Sequence, residues 1–289
     1  MVPSDPGYVH GTHPEEQARL SKLNSLLNKQ SLAALQLGGG ERILDVGSGL
    51  GQLSLAMAQA AGPAGSVLGI ERSDEQLSVA RARVGTAEVR VEFRRGDALD
   101  PPLTADEWGS FDVAHARFVL EHVENPIVVV RALARAVRPG GRIILEDDDH
   151  DVLRIWPPSP GVERLWRGYI QSYESAGKDP YVGRHLVSLL HEAGACPRRN
   201  RWLSFSGCSG SDTFGALVAN LRGILEGARS AIMSATGVTT PDYDNAIEEL
   251  DRWGRRPDAA LWYGTCWAEA IVPGKPVGSH EPDRRRPGS

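Results

Sequence analysis

From Arg42 onward, short apolar runs alternate with stretches whose apolar residues recur at helical spacing. Such alternation is the mark of βα units and predicts an α/β fold with a mostly parallel sheet and helices on both faces. Strands are expected at 43–46, 66–70, 89–93, 111–114 and 142–145, with helices at 52–61, 75–84 and 126–137 between them. Upstream, 14–35 carries a helical pattern through Leu20, Leu23, Leu26 and Leu27, and stops at Gly38, Gly39 and Gly40. Downstream, Trp156, Pro157, Pro158 and Pro160 break the pattern, and helices are expected at 162–176 and 182–193. A sixth strand at 201–205 and a seventh at 261–271 complete the sheet.

The stretch 207–258 is too long for a hairpin, and its helical candidates at 211–236 and 241–253 make it a cap. The chain therefore divides into an N-terminal helical segment (1–40), a core (41–206), a helical cap insertion (207–258), a last core strand (259–272) and a tail (273–289). The tail is rich in Gly, Pro and charge and is expected to be disordered.

Charge and cysteines narrow the function. A formal net charge of -5 offers no general attraction for a polyanion, so nucleic acid is not an expected partner. Cys196, Cys208 and Cys266 stand far apart without the spacing of a zinc site or a disulfide framework, and read as reduced thiols. No run of about eighteen apolar residues and no secretory leader is present, so a cytoplasmic protein without membrane contact is expected.

The candidate chemistry begins at ERILDVGSGLGQLSLAMA, a strand followed by Asp45, Gly47, Gly49 and Gly51 and then a helix. Glycines belong there because the backbone must turn sharply and come close to a ligand. Glu71, about twenty residues on and at the end of the second strand, is placed to accept both hydroxyls of a ribose. Asp97 follows the third strand, where a carboxylate can accept from an adenine amino group while Ala98 offers a backbone N–H.

Together these segments resemble the class I S-adenosylmethionine-dependent methyltransferases, in particular the bacterial UbiE-like branch that acts on small molecules. DVGSGLG resembles the family's cofactor loop, GDA its adenine contact, FDVAHARFVLEHVENP its fourth-strand motif and VRPGGRIILED its fifth strand. YVHGTHPEEQARLSKL resembles the N-terminal lid helix. The resemblance runs from about Gly7 to Gly194. It implies a Rossmann-like seven-stranded sheet in the order 3-2-1-4-5-7-6, the last strand antiparallel. It also implies cofactor contacts at Tyr8, Arg19, Asp45, Gly47, Ser48, Gly49, Gly51, Glu71, Arg72, Gly96, Asp97, Ala98 and Arg117. The implied activity is in-line displacement of the sulfonium methyl by an O, N, S or C atom of a small-molecule acceptor, leaving S-adenosylhomocysteine, within secondary or cofactor metabolism. The protein is expected to be a monomer or homodimer.

Acceptor residues are sought after strands four and five, where His115, Arg117, Phe118, Glu121 and His122, and the run Glu146, Asp147, Asp148, Asp149, His150, Asp151, are found. Neighbours on one strand point to opposite faces, so the run cannot gather on one ion, and no metal is expected. Asp148, Asp149, Trp156 and Phe118 are taken as substrate-binding, the acidic pair suiting an amine-bearing acceptor. His150 is the first candidate base, held protonated by nearby carboxylates, and His122 the second. Trp156, Trp166, Tyr169, Tyr173 and Tyr181 offer flat walls, of which part belongs to the core. Three rival readings remain: a cofactor-binding protein without turnover, a methyltransferase acting on RNA or protein, and a dehydrogenase.

Overall fold

The computed structural model describes residues 27–85 and 89–274. Tyr8, Arg19, most of the expected N-terminal helix and all but the start of the tail lie outside them.

A helix over 27–35 (α1) leads into β1 (Arg42–Val46), α2 (Gln52–Ala61), β2 (Ser66–Glu71), α3 (Asp74–Val84) and β3 (Val91–Arg95). There follow β4 (Phe111–Arg117), α4 (Pro126–Ala136), β5 (Val137–Asp148), β6 (Arg154–Trp156), α5 (Pro160–Ser175), α6 (Leu186–Glu192) and β7 (Cys196–Cys208). The cap helices α7 (Phe214–Gly227), α8 (Arg229–Thr236) and α9 (Thr240–Trp253) precede β8 (Ala260–Ile271). Helix starts follow local chemistry: Ser73 accepts from Gln76 N ahead of α3, Thr239 accepts from Asp242 N ahead of α9, and α4 and α5 carry proline in their first turn.

The sheet runs β3-β2-β1-β4-β5 with parallel pairing, then β8 antiparallel to β5, with β7 on the far side of β8. This is the expected order, with one addition. After β5 the chain makes a 3-10 turn over His150–Val152 and β6 returns to pair with Trp262–Ala260 of β8, so the sheet has eight strands rather than seven. Alternate residues of β1 feed two cores. Ile43 packs with α1, α2 and the cap, while Leu44 and Val46 pack with α4 and α6.

Several boundaries move for identifiable reasons. β3 lies at Val91–Arg95, not 89–93, because its register sets Phe93 opposite Gly69, where a Cβ would stand 2.5 Å from the Phe93 ring. The expected helix 211–236 divides at Ala228, where Tyr243 Oη donates to Leu225 O (2.8 Å) at the break. The expected helix 182–193 opens as a 3-10 turn, Val182–His185, in which Gly183 lies so close to β5 that a Cβ would meet Asp148 O at 2.8 Å.

Candidate functional site

A cavity of about 280 Å³ opens at the carboxyl ends of β1, β2, β4 and β5, where the strand order reverses. Its first end is made largely of backbone. Gly47, Gly49 and Gly51 have φ of 73°, 55° and 73°, a region that side chains tolerate poorly. A Cβ at Gly47 would stand 2.3 Å from Val119 Cγ2, and one at Gly51 2.6 Å from Phe93 Cζ. Packing of the protein on itself therefore demands these two glycines before any ligand does. Gly47 N and Ser48 N both donate to Ile70 O (2.8 and 3.0 Å), fastening the turn to β2. Beside it, Glu71 accepts from Gly49 N (2.9 Å) and Ser73 N (2.8 Å), one bond to each carboxylate oxygen. Asp97 accepts from Leu99 N (2.9 Å).

Asp45 is buried under the turn, where Ser54 Oγ donates to one oxygen and His115 Nδ1 lies 2.8 Å from the other. It ties α2 and β4 to β1, which makes it a support of the turn. Ser48 Oγ and His115 Nε2, both in residues that line the cavity, are buried atoms without a hydrogen-bond partner. Buried polar atoms in that condition fit a polar ligand at this end.

The other end is acidic. β4 leaves the sheet at Phe118, whose φ of 55° is strained for a side-chain-bearing residue. A 3-10 turn, Leu120–His122, follows, and Asp147 Oδ2 accepts from Val119 N (3.1 Å) and Leu120 N (2.8 Å). On the opposite face of β5, Glu146 Oε1 accepts from Thr265 Oγ1 (3.2 Å), and Asp148 lines the cavity. His150 Nε2 lies 2.8 Å from Glu121 Oε2, and His150 Nδ1 lies 3.1 Å from Tyr263 Oη. The rings of Trp166, Tyr169 and Tyr173 surround His150 with centroids at 5.7, 5.1 and 5.2 Å.

Burial governs the titration of this end. It pushes the Glu121 carboxyl up to about 8, against a hydrogen bond from Tyr173 and the charge of Lys178. Asp147 and Asp148 are raised well above the carboxylate range, by burial first and then by the charge of Glu121. His150 is shifted down, because loss of water outweighs the pull of Asp148 and Asp149. The expectation that neighbouring carboxylates hold it protonated is thereby corrected.

Between the two ends the wall is apolar: Leu27, Leu53, Phe118, Trp166 and Phe205, with Leu217, Leu221 and Ile224 from α7 of the cap. The cavity brings together Asp45, Gly47, Ser48, Gly49, Glu71, Arg72, Gly96, Asp97, Ala98, Arg117, Phe118, His122, Asp148 and His150. Gly51 stands behind the turn against Phe93 and does not line it. Arg117 donates to Asn28 Oδ1 (2.7 Å) and Ser31 Oγ (3.2 Å), joining α1 to β4.

Two substrate assignments are corrected. Asp149, just past β5 at the head of the 3-10 turn, pairs with Arg184 and does not line the cavity. Trp156 is 62 % exposed on the short β6 and stands apart from the cavity. Glu121, a candidate after strand four that was given no role of its own, and Tyr263 and Thr265 of β8 belong to the acidic end. The acidic Glu121 after strand four was a visible signal; the two β8 residues carried none, because only pairing of β8 with β5 brings them there.

A methyltransferase domain model matches residues 44–145. An uncharacterized 37.1 kDa protein in transposon TN4556 of Streptomyces fradiae is 33% identical over 193 residues, 67% of this chain and 52% of that protein. The demethylmenaquinone methyltransferase of Lactococcus lactis is 31% identical over 156 residues, 53% of this chain and 56% of the enzyme. The chain thus spans about half the length of the curated relatives it matches. Among solved structures, the [4+2]-cyclase SpnF superposes with a TM-score of 0.52 at 22% identity, covering 85% of this chain and 80% of SpnF, a likeness of fold. The matched segment, residues 44–145, runs from β1 and the glycine turn through β5 and is a methyltransferase domain, which with these relatives supports a class I S-adenosylmethionine-dependent methyltransferase.

Proposed function

We propose that this protein methylates an apolar, ring-bearing small molecule, with S-adenosylmethionine held at the glycine turn and the acceptor held between the cap and the acidic end. One observation carries the reading: a single cavity joins the turn and Glu71 at one end to aromatic walls and Glu121, Asp148 and His150 at the other. Bound there, S-adenosylmethionine supplies a methyl group already activated by its sulfonium.

The remaining work falls to the chain's own residues. Glu71 offers the free lone pairs of both oxygens to the ribose, and Asp97 and Ala98 face the adenine. Trp166, Tyr169 and Phe118 hold the acceptor in line and exclude water, which is where most of the rate enhancement of such a displacement arises. His150 and its carboxylate neighbours hold the polar group of the acceptor beside the reacting atom. Relatives such as the demethylmenaquinone methyltransferase support an acceptor of the secondary or cofactor metabolite class.

The test is methyl transfer from tritiated S-adenosylmethionine into fractionated small-molecule extracts, with product identified by mass spectrometry. Transfer of label to an organic-soluble product supports the reading. Tight binding of S-adenosylhomocysteine with no transfer to any small molecule favours the rival, a cofactor-binding protein without turnover. That rival has a footing in the fold, which a [4+2]-cyclase shares. Label found in RNA or protein instead would favour a macromolecular acceptor.

A further inference from the structure

Three side chains from three different segments converge at the acidic end: Glu121 from the turn after β4, Asp148 from the end of β5, and His150 from the turn that follows. One ligand atom from each lies within 4.8 Å of the others. Glu121 and His150 are each 2 % exposed. Glu121 Oε2, Asp148 Oδ1 and His150 Nε2 are all buried and none makes a hydrogen bond. The first and last of these stand only 2.8 Å apart, close enough to share a proton or to bind one cation side by side.

We propose that Glu121, Asp148 and His150 form a binding site for one divalent first-row transition metal ion, which presents its remaining coordination positions to an oxygen of the acceptor. Two carboxylate oxygens and one imidazole nitrogen are a donor set for ions of the Mn²⁺ to Zn²⁺ series. Adjacent ligands of an octahedral ion at about 2.1 Å lie about 3.0 Å apart, and opposite ones about 4.2 Å. The Glu121–His150 distance of 2.8 Å is close to the adjacent spacing, and all three ligand atoms lie within 4.8 Å of one another.

The outer contacts have the form that orients metal ligands. His150 Nδ1 lies 3.1 Å from Tyr263 Oη, which fixes the tautomer that leaves Nε2 as the lone pair, and Tyr263 in turn hydrogen-bonds Asp148. Tyr173 hydrogen-bonds Glu121. Asp147 serves the turn after β4 and Asp149, past the end of β5, pairs with Arg184, so neither joins this set, and Glu121 enters it from β4's side. The site opens on the acceptor half of the cavity, so the ion selects acceptors that carry a hydroxyl or carbonyl oxygen. Its role toward the acceptor rests on the methyltransferase reading; its binding does not.

The experiment uses the full chain, stripped with chelator, dialysed and titrated with Mn²⁺ alone while electron paramagnetic resonance reads the free ion. One Mn²⁺ per chain is expected, with affinity reduced at least 100-fold in Glu121→Gln and in His150→Gln. Asp151→Asn, next in sequence but 62% exposed at its side chain and paired with Arg184, is expected to bind within twofold of the wild type. Circular dichroism and S-adenosylhomocysteine affinity serve as checks on folding. Absence of stoichiometric Mn²⁺ binding overturns the proposal, as does equal loss in Asp151→Asn or full retention in both Glu121→Gln and His150→Gln. Should both of these unfold, Tyr263→Phe, which removes only an outer hydroxyl, is expected to weaken Mn²⁺ about tenfold, and no change there overturns the site. Stoichiometric Mn²⁺ binding without S-adenosylhomocysteine binding would leave the metal site standing and sink the methyltransferase reading.

Discussion

The two ends of the cavity are built on different principles. The glycine turn is backbone held by backbone: Gly47 and Ser48 bond to Ile70, Gly49 bonds to Glu71, and the conformations are ones only glycine accepts cheaply. The acidic end is side chain held by side chain, assembled from the exits of β4 and β5, from α5 and from β8. The first end is therefore rigid in shape and generic in what it recognises. The second depends on the side chains that happen to meet there, and it is the end proposed to choose the acceptor.

One contact crosses between them. Val119 fills the space beside Gly47 and immediately precedes the turn that presents Glu121. Gly47→Ala is expected to have the largest effect, because it both strains the turn and pushes Val119: calorimetry should show S-adenosylhomocysteine binding weakened at least about 100-fold, with the acidic end disturbed too. Loss confined to the cofactor end would show that the two ends are independent. Glu71→Ala removes the charge-assisted hydrogen bonds proposed to the ribose, about 2–3 kcal/mol, or about 30- to 150-fold in S-adenosylhomocysteine affinity, and also leaves Gly49 N and Ser73 N without their acceptor. Mn²⁺ affinity at the other end should not move, and a parallel fall there would break the comparison.

Leu221→Trp narrows the cap side of the cavity. Steady-state kinetics should give an acceptor KM raised about tenfold, the order of a lost apolar contact, with S-adenosylhomocysteine affinity within about twofold. The smallest effect belongs to a site remote from both ends. Glu107, bonded to Arg94 at 2.8 and 3.1 Å, has its carboxyl held down at about 2 against an ordinary value of 4.5. Its folded pKa is depressed, so its contribution is present above pH 4.5 and is lost as pH falls through about 2. Glu107→Gln should lower Tm at pH 7 by about 2–4 °C, for about 1 kcal/mol of a partly screened pair. The difference should close as the scan is repeated toward pH 2, with both ends of the cavity unaffected.

The same contrast explains what could be read in the sequence. Gly47, Gly49, Glu71 and Asp97 lie at fixed offsets from strands whose apolar pattern is plain, so the residues that line this end of the cavity are legible one by one. Asp149 and Trp156 were misplaced because nearness in sequence to β5 says nothing about which face a side chain takes, or that the chain turns back as β6. His150 was found, but its electrostatic state was read backwards: adjacent acids are visible in a sequence, whereas the burial that overrides them is made by Trp166, Tyr169 and Tyr173. Asp45 reads in the sequence as a ligand contact, whereas its bonds to Ser54 and His115 show a carboxylate whose first partners are protein.

β8 has a consequence for how the molecule comes into being. It is the last strand of the sheet in chain order, yet it lies inside the sheet, with β5 and β6 along one edge and β7 along the other. During synthesis the parallel half, with the glycine turn already shaped by β1 and β2, can assemble while β7 still lacks its hydrogen-bonding neighbour. Tyr263 and Thr265 arrive only with that closing strand. A nascent chain therefore shapes the turn proposed to hold the cofactor before it completes the end proposed to choose the acceptor.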